Sequence, residues 1–241
     1  MQIIGVMFSA AGACEYQRLA KVWEYSARKA HPEATVKLIR KKDRPSKTSH
    51  QGRNQYKLTE WNKQIQAATE DTILMDVDMV VMQEIGHVFE RDFDICYTER
   101  TKTRMPLNGG VLFVKPTAAA KAFFTEWARV DAELLKNRNR YVRYIRKYGG
   151  QNQASFGYLL DNKKRNKCVV NTCVDKVPCT IYNVCQEEWH AVDDSTRVIH
   201  CKSGLKRILS QSGEKRPMHE KYRKVVDLWK AMSKEANTAT G

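Results

Sequence analysis

The most apolar stretch of the chain reads Thr72-Ile73-Leu74-Met75-Asp76-Val77-Asp78-Met79-Val80-Val81-Met82. Its composition predicts a buried strand, although two carboxylates, Asp76 and Asp78, interrupt it. A carboxylate loses its hydration in an apolar interior, so two of them need a compensating partner. Residues i and i+2 of an extended chain point to the same face, and both carboxylates can converge on one divalent cation. The stretch predicts a magnesium or manganese site at a strand end, with an ordinary solvated turn as the alternative.

Length and composition indicate one α/β domain, or one domain with a small appendage. The chain has 241 residues, of which 42% are hydrophobic, and this argues against disorder. No stretch approaches the roughly 20 apolar residues that span a bilayer. Seven cysteines, an odd number at irregular spacing, favour free thiols over a disulfide framework. We therefore expect a cytoplasmic protein or one peripheral to a membrane.

A formal net charge of +15 favours an anionic partner such as nucleic acid, acidic lipid headgroups or a phosphorylated substrate. The charge is concentrated in residues 136–147, the basic segment, which contains six basic residues and no acidic one. If the basic segment is helical, Arg140, Arg143 and Lys147 lie on one side, with Tyr141, Ile145 and the following Tyr148 on another. This arrangement suits nucleic acid, and it equally suits a solvated helix packed through its tyrosines.

Strands and helices alternate over the first third of the chain, which predicts a mostly parallel sheet covered by helices. Such sheets bind ligands outside the carboxyl ends of their strands, where Asp76 and Asp78 are expected. We predict a mobile loop over 40–55, a β-rich region over 168–185 and a buried role for Trp23, Trp127 and Trp229. The strands are expected at 3–8, 35–39, 72–82, 93–98, 110–114 and 197–201, and the helices at 15–30, 56–68, 117–135, from 151, and 218–232.

Four further segments follow the aspartates in a telling order. They are Asn108-Gly109-Gly110 before a strand, Asn152-Gln153 at a helix start, the pair Tyr182-Asn183, and a late element from His200 to Lys206. With Asp-x-Asp, their order resembles the metal-dependent sugar transferases of the GT-A fold, most closely glycosyltransferase family 8. The chain departs from that pattern where Gly109 replaces Ser, where Asn152 replaces an acid, and where Gly204 falls one place late.

The resemblance implies a three-layer αβα sandwich around a central mixed, mostly parallel sheet. It implies a catalytic domain over 1–210, with a nucleotide-sugar-binding half (1–115) and an acceptor-side half (116–210). The remaining residues, 211–241, are expected to form an amphipathic helix and tail.

The resemblance also assigns site residues. The metal ligands would be Asp76, Asp78 and His200. The donor would contact Phe8, Ser9, Lys57, Asp76, Val77, Asn108, Gly109, Gly110, Lys202, Gly204 and Lys206. Gln153 and Asn152 would lie at the reacting sugar, where an amide suits electrostatic support better than nucleophilic attack. A metal ion could stabilise the departing diphosphate as a Lewis acid, with lysines as point charges.

We therefore expect a glycosyltransferase that uses Mn2+ or Mg2+ to move a hexose, by default from a UDP-sugar, with retention of configuration. Its acceptor would be a glycan, a lipid-linked sugar, a protein or a nucleic acid, and the basic segment could hold an anionic one. Two alternatives stay open, a non-catalytic nucleic-acid-binding protein and a metal-dependent nucleotidyltransferase.

Overall fold

A six-stranded mixed sheet forms the centre of the computed structural model, which describes residues 1–10, 14–43, 50–101, 104–202, 205, 208–209 and 220–239. The strands within these ranges are β1 (Gln2–Ala10), β2 (Thr35–Asp43), β3 (Thr72–Met75), β4 (Met79–Val81), β5 (Ile95–Glu99), β6 (Leu107–Val114), β7 (Val174–Pro178) and β8 (Val198–His200). The order is β2-β1-β3-β6-β5-β7, and β4 pairs with β8 in a separate small sheet. Only β6 runs antiparallel to its neighbours in the main sheet, so the sheet is mostly parallel, as predicted.

Helices cover both faces of the main sheet, and the central strand β3 therefore has buried apolar side chains on both sides. Ile73 and Met75 pack on the same side as Trp23, whereas Leu74 packs on the opposite side with Trp61. The helices are α1 (Cys14–Ala30), α2 (His50–Ala67), α3 (Ala118–Lys136), α4 (Val142–Tyr148), α5 (Gln151–Asn162), α6 (Cys179–Tyr182) and α7 (Glu220–Thr238). The predicted three-layer αβα sandwich is confirmed.

A third apolar cluster joins α1, the small sheet and α7. It contains Leu19 and Val22 of α1, Ile199 of β8, and Val226 and Trp229 of α7, all buried. The C-terminal helix is therefore packed on the same structure that carries β8. The predicted burial of Trp23, Trp127 and Trp229 is confirmed. None of the described helices combines the length and apolarity needed to cross a bilayer.

Four local predictions were wrong. The expected strand over 72–82 is divided at residues 76–78 into β3 and β4, which lie in different sheets. Within the expected loop over 40–55, residues 40–43 end β2 and residues 50–55 begin α2, whereas residues 44–49 lie outside the described residues. Asn108, Gly109 and Gly110 lie inside β6 and not in a turn before it. In the region 168–185 only β7 is a strand, and the short helix α6 follows it directly.

The basic segment is divided between the end of α3, a short 3-10 helix (Arg138–Tyr141) and α4. Tyr141 and Tyr148 are buried, as the two-sided pattern predicted. Arg140 forms an ion pair with Glu133, and Lys147 with Asp161, so part of the positive charge is neutralised within the protein.

Candidate active site

Two strand pairings bring the predicted metal ligands together. Asp76 and Asp78 lie in the acidic turn (76–78), which joins β3 of the main sheet to β4 of the small one. In the small sheet Met79 is opposite His200, so the last residue of β8 lies beside Asp78. The backbone N–H of Cys201 donates to the carbonyl oxygen of Asp78 at 2.7 Å and holds this approach. A strand pair of three residues on each side thus brings together residues that are more than a hundred positions apart in the sequence.

The donor atoms of Asp76, Asp78 and His200 have the spacing of a metal site. His200 Nε2 is 3.3 Å from Asp78 Oδ1 and 3.9 Å from Asp76 Oδ2, and one donor atom from each residue lies within 4.8 Å of the others. Two ligands about 2.1 Å from an octahedral ion lie about 3 Å apart when adjacent and about 4.2 Å apart when opposite. Two carboxylates with one imidazole suit Mn2+ or Mg2+. The residues therefore fit a divalent cation.

His200 is buried and fixed in orientation. Its Nδ1 is 3.0 Å from Asn183 Oδ1, so Nδ1 donates there and Nε2 faces the aspartates. Burial, the largest single effect, disfavours the imidazolium, but the Asp78 carboxylate and Cys185 together outweigh it and raise the pKa of His200 above its ordinary value. A cation bound by Nε2 would replace the proton held there.

Lys57 of α2 reaches the same turn. Its Nζ lies 2.7 Å from Asp76 Oδ1, and it also stands over the ring of Trp61 at 4.4 Å from the centroid. One oxygen of Asp76 is thus held by Lys57, while the other faces His200. A cation here could meet a phosphate beside the metal position.

A cavity of about 240 Å3, the first cavity, is lined by two of the three ligands, Asp76 and His200. Of the predicted site residues, its lining includes Lys57, Asp76, Asn108, Gly109, Gly110, Asn152, Gln153, His200 and Lys202. These come from five different elements and the segments next to them. The structure therefore brings nine of the fifteen predicted site residues around one space.

Two amides that were expected to meet the sugar are engaged with the protein. Asn108 is buried, donates from Nδ2 to the sulfur of Cys185 at 3.0 Å, and accepts from the N–H of Gly110. Gln153 donates from Nε2 to the carbonyl oxygens of Leu107 and Tyr148. Asn152 differs, because Nδ2 donates to the carbonyl oxygen of Asn54 while its buried Oδ1 has no partner among the described residues.

Other predicted residues lie away from the first cavity or outside the description. Phe8 packs edge-on against Tyr56, with the ring centroids 5.6 Å apart. Val77 is buried against Trp23 and Gly5, so its side chain belongs to the core and only its backbone could contact a ligand. The side chain of Ser9, and the whole of Gly204 and Lys206, lie outside the described residues.

Sequence patterns missed two residues of this region, Gln151 and Asp131. Gln151 lines the first cavity and donates from Nε2 to Asp131 Oδ2 at 2.6 Å. Asp131 is fully buried in α3, where it also accepts from Ser155 Oγ at 2.8 Å, and burial raises its pKa. The one available signal was a lone acid on the apolar face of α3.

Comparisons with known proteins agree with this geometry. A family model described as nucleotide-diphospho-sugar transferase matches residues 21–207. Among solved structures, a glycosyltransferase involved in glycosylation of the major capsid of PBCV-1 aligns with a TM-score of 0.57 and 12% identity, covering 86% of this chain and 95% of that chain. The galactosyltransferase LgtC, solved with donor and acceptor sugar analogues, gives a TM-score of 0.54 and 11% identity, covering 98% and 96%.

The glycosyltransferase GlyE of Streptococcus pneumoniae TIGR4 aligns with a TM-score of 0.60 and 11% identity, and this chain spans 63% of its length. No curated protein sequence matches the chain. The structural likenesses show the fold, and the family match favours a sugar transferase over a nucleotidyltransferase or a non-catalytic nucleic-acid-binding protein. The matched residues include the acidic turn and His200, and they form most of the chain. It therefore belongs to the nucleotide-diphospho-sugar transferase family and is a glycosyltransferase of the GT-A fold, similar to family 8.

Proposed function

We propose that this glycosyltransferase moves a hexose from a UDP-linked donor, with a Mn2+ or Mg2+ ion held by Asp76, Asp78 and His200, and with retention of anomeric configuration. The observation that carries the proposal is the convergence of two carboxylate oxygens and an oriented imidazole nitrogen within 4.8 Å. The bound ion would supply Lewis-acid stabilisation of the departing diphosphate.

The chain's own residues suit the donor. Lys57 and Lys202 line the first cavity near the acidic turn and would bind diphosphate oxygens as point charges. Gly109 and Gly110 would admit the sugar close to β6, and Asn152 and Gln153, which also line the first cavity, would be polar contacts. Val77 would contribute its backbone, and Phe8 and Ser9 would lie towards the nucleotide. Gly204 and Lys206 complete the proposed donor site.

The scarcity of carboxylates in the first cavity favours retention of configuration. Within the described lining, Asp76 is the only acid, and Lys57 and the metal position already engage its two oxygens. An inverting enzyme needs a free general base at the acceptor hydroxyl, and this lining offers none. In the proposed reaction the bond from the anomeric carbon to the phosphate oxygen breaks. The acceptor oxygen bonds to that carbon, and its proton passes to the leaving phosphate.

The half over 1–115 would bind the nucleotide sugar and the half over 116–210 the acceptor side, with 211–241 as a C-terminal appendage. Both halves contribute to the first cavity, through Lys57 and Asp76 on one side and Gln153 and His200 on the other. In this division, α3 to α5 would bind the acceptor.

The test is release of nucleoside diphosphate from a panel of nucleotide sugars in the presence of Mn2+. We expect slow release from a UDP-hexose, abolished by a chelator and restored by added Mn2+. Asp78→Asn replaces an anionic carboxylate ligand by a neutral amide and should lower the rate at least a hundredfold. Asp92→Asn, the same change at an exposed acid, should leave the rate unchanged. A rate that persists in chelator, or in Asp78→Asn, would refute the metal assignment.

A further inference from the structure

A second cavity of about 290 Å3 shares Asn54, Gly150 and Gln151 with the first. Its lining contains none of the three metal ligands, and its volume is near the lower end of small-molecule sites, roughly 300 Å3. The apolar side chains of Leu134 and Ile145 form part of its wall. A small ligand here would lie next to a bound donor without competing for the metal.

Gln151 lines both cavities and carries an unsatisfied buried acceptor. Its side chain is only 7% exposed, and Nε2 is committed to the Asp131 carboxylate at 2.6 Å. A carboxylate accepts and does not donate, so this bond turns Oε1 the other way. Oε1 is buried and has no hydrogen-bond partner among the described residues. A buried carbonyl oxygen of this kind is costly unless a ligand donates to it, and a sugar hydroxyl is a suitable donor.

Arg138 supplies a positive charge to the same cavity. Arg138 is exposed, and its guanidinium makes no hydrogen bond or ion pair with any residue in the described part of the chain. Its neighbours differ, because Arg140 pairs with Glu133, Lys147 pairs with Asp161, and Arg143 donates to the hydroxyl of Tyr144. The guanidinium of Arg138 is therefore available to an anion in the second cavity. It can bind phosphate or carboxylate with two parallel hydrogen bonds.

We propose that the second cavity is the acceptor subsite and takes a sugar bearing an anionic group, with Gln151 Oε1 accepting from a hydroxyl and Arg138 binding the anion. The proposal rests on the proposed function, since the donor would occupy the first cavity. It gives a role to the charge of Arg138 in a chain of net charge +15, whereas the charges of Arg140 and Lys147 are paired within the protein. The chemistry recognised is an anion on a carbohydrate, whether phosphate or carboxylate.

The experiment measures binding of three sugars to the protein saturated with Mn2+ and UDP, by ligand-detected NMR. The probes are methyl glucoside, which is neutral, glucose 6-phosphate and glucuronic acid. We expect the anionic probes to bind at least tenfold more tightly than methyl glucoside, and the ranking of the two to identify the preferred anion. UDP occupies the diphosphate position, so the phosphate probe cannot report on the metal site.

Three variants locate the interaction. Arg138→Gln should remove the tenfold preference, and Arg138→Lys should keep part of it. Arg146→Gln, the same change at an exposed arginine outside the lining, should keep all of it. Gln151→Leu keeps the size of the side chain, removes the carbonyl, and should weaken all three probes. Wild-type protein that does not prefer the anionic probes, or an Arg138→Gln variant that still does, would overturn the proposal.

The two proposals fail separately. If no nucleotide sugar is turned over but the anion preference depends on Arg138, the donor assignment is wrong and the anionic-sugar site stands. If a donor is turned over and the preference is missing, only the acceptor subsite is wrong.

Discussion

Asn183 determines which nitrogen of His200 faces the two aspartates. The hydroxyl of Thr98 donates to the carbonyl oxygen of Asn108 at 2.8 Å, so it can only accept from Asn183 Nδ2, which lies 2.8 Å away. That leaves Asn183 Oδ1 as the acceptor for the Nδ1–H of His200. A buried chain of hydrogen bonds thus fixes the tautomer and ring orientation that a metal ligand needs.

Replacing Asn183 by Leu should lower Mn2+ affinity about 10- to 100-fold, because the imidazole loses the acceptor that orients it. Asn183→Asp, which keeps an oxygen acceptor for Nδ1, should retain more of the affinity. Electron paramagnetic resonance of free Mn2+ during titration measures both constants. An unchanged affinity in folded Asn183→Leu would show that the ring is held by packing alone.

At the scale of the element, β6 lies so close to β4 and β8 that a side chain on one of its glycines would force its neighbours to shift. A Cβ built on Gly110 would lie 2.5 Å from Met79 Cε, 3.0 Å from His200 Cε1 and 3.1 Å from Asn183 Nδ2. The same atom on Gly109 would meet only Gln153 Cγ at 3.8 Å, an ordinary contact. The resemblance has Ser at the position of Gly109 and keeps Gly at that of Gly110, in agreement with this difference in space.

Gly110→Ala should therefore displace His200 or Asn183, weaken Mn2+ binding at least tenfold, and cost about 1–3 kcal/mol of stability by overpacking. Gly109→Ala is the matched control, for which we expect the free energy of unfolding to change by less than about 0.5 kcal/mol. Urea unfolding and Mn2+ titration of both variants make the comparison. Equal effects of the two substitutions would argue against the close approach of β6 and β8.

At the scale of the molecule, the sequence predicted local elements better than the contacts between distant ones. A run of apolar residues is a local property, and such runs were enough to predict β1 and the apolar stretch that contains β3. The pairing of β4 with β8 involves three residues on each strand, too few for periodicity to reveal, so proximity of His200 to Asp78 followed only from the resemblance. Gln151 and Asp131 matched no motif, because their roles depend on α3 packing against α5.

The third apolar cluster makes the C-terminal helix part of the structure that supports the site. Trp229 of α7 is 4% exposed and packs in the same cluster as Leu19 of α1 and Ile199, the neighbour of His200 in β8.

Trp229→Ala should lower the free energy of unfolding by about 3–5 kcal/mol, since the cavity left by the indole cannot fully collapse. It should also weaken Mn2+ binding, because β8 loses packing behind its last residue. Lys230→Ala, at the exposed neighbouring position, should change neither quantity. Urea unfolding with and without saturating Mn2+ measures both effects, and full Mn2+ affinity in a destabilised Trp229→Ala variant would mean that α7 supports the fold but not the site.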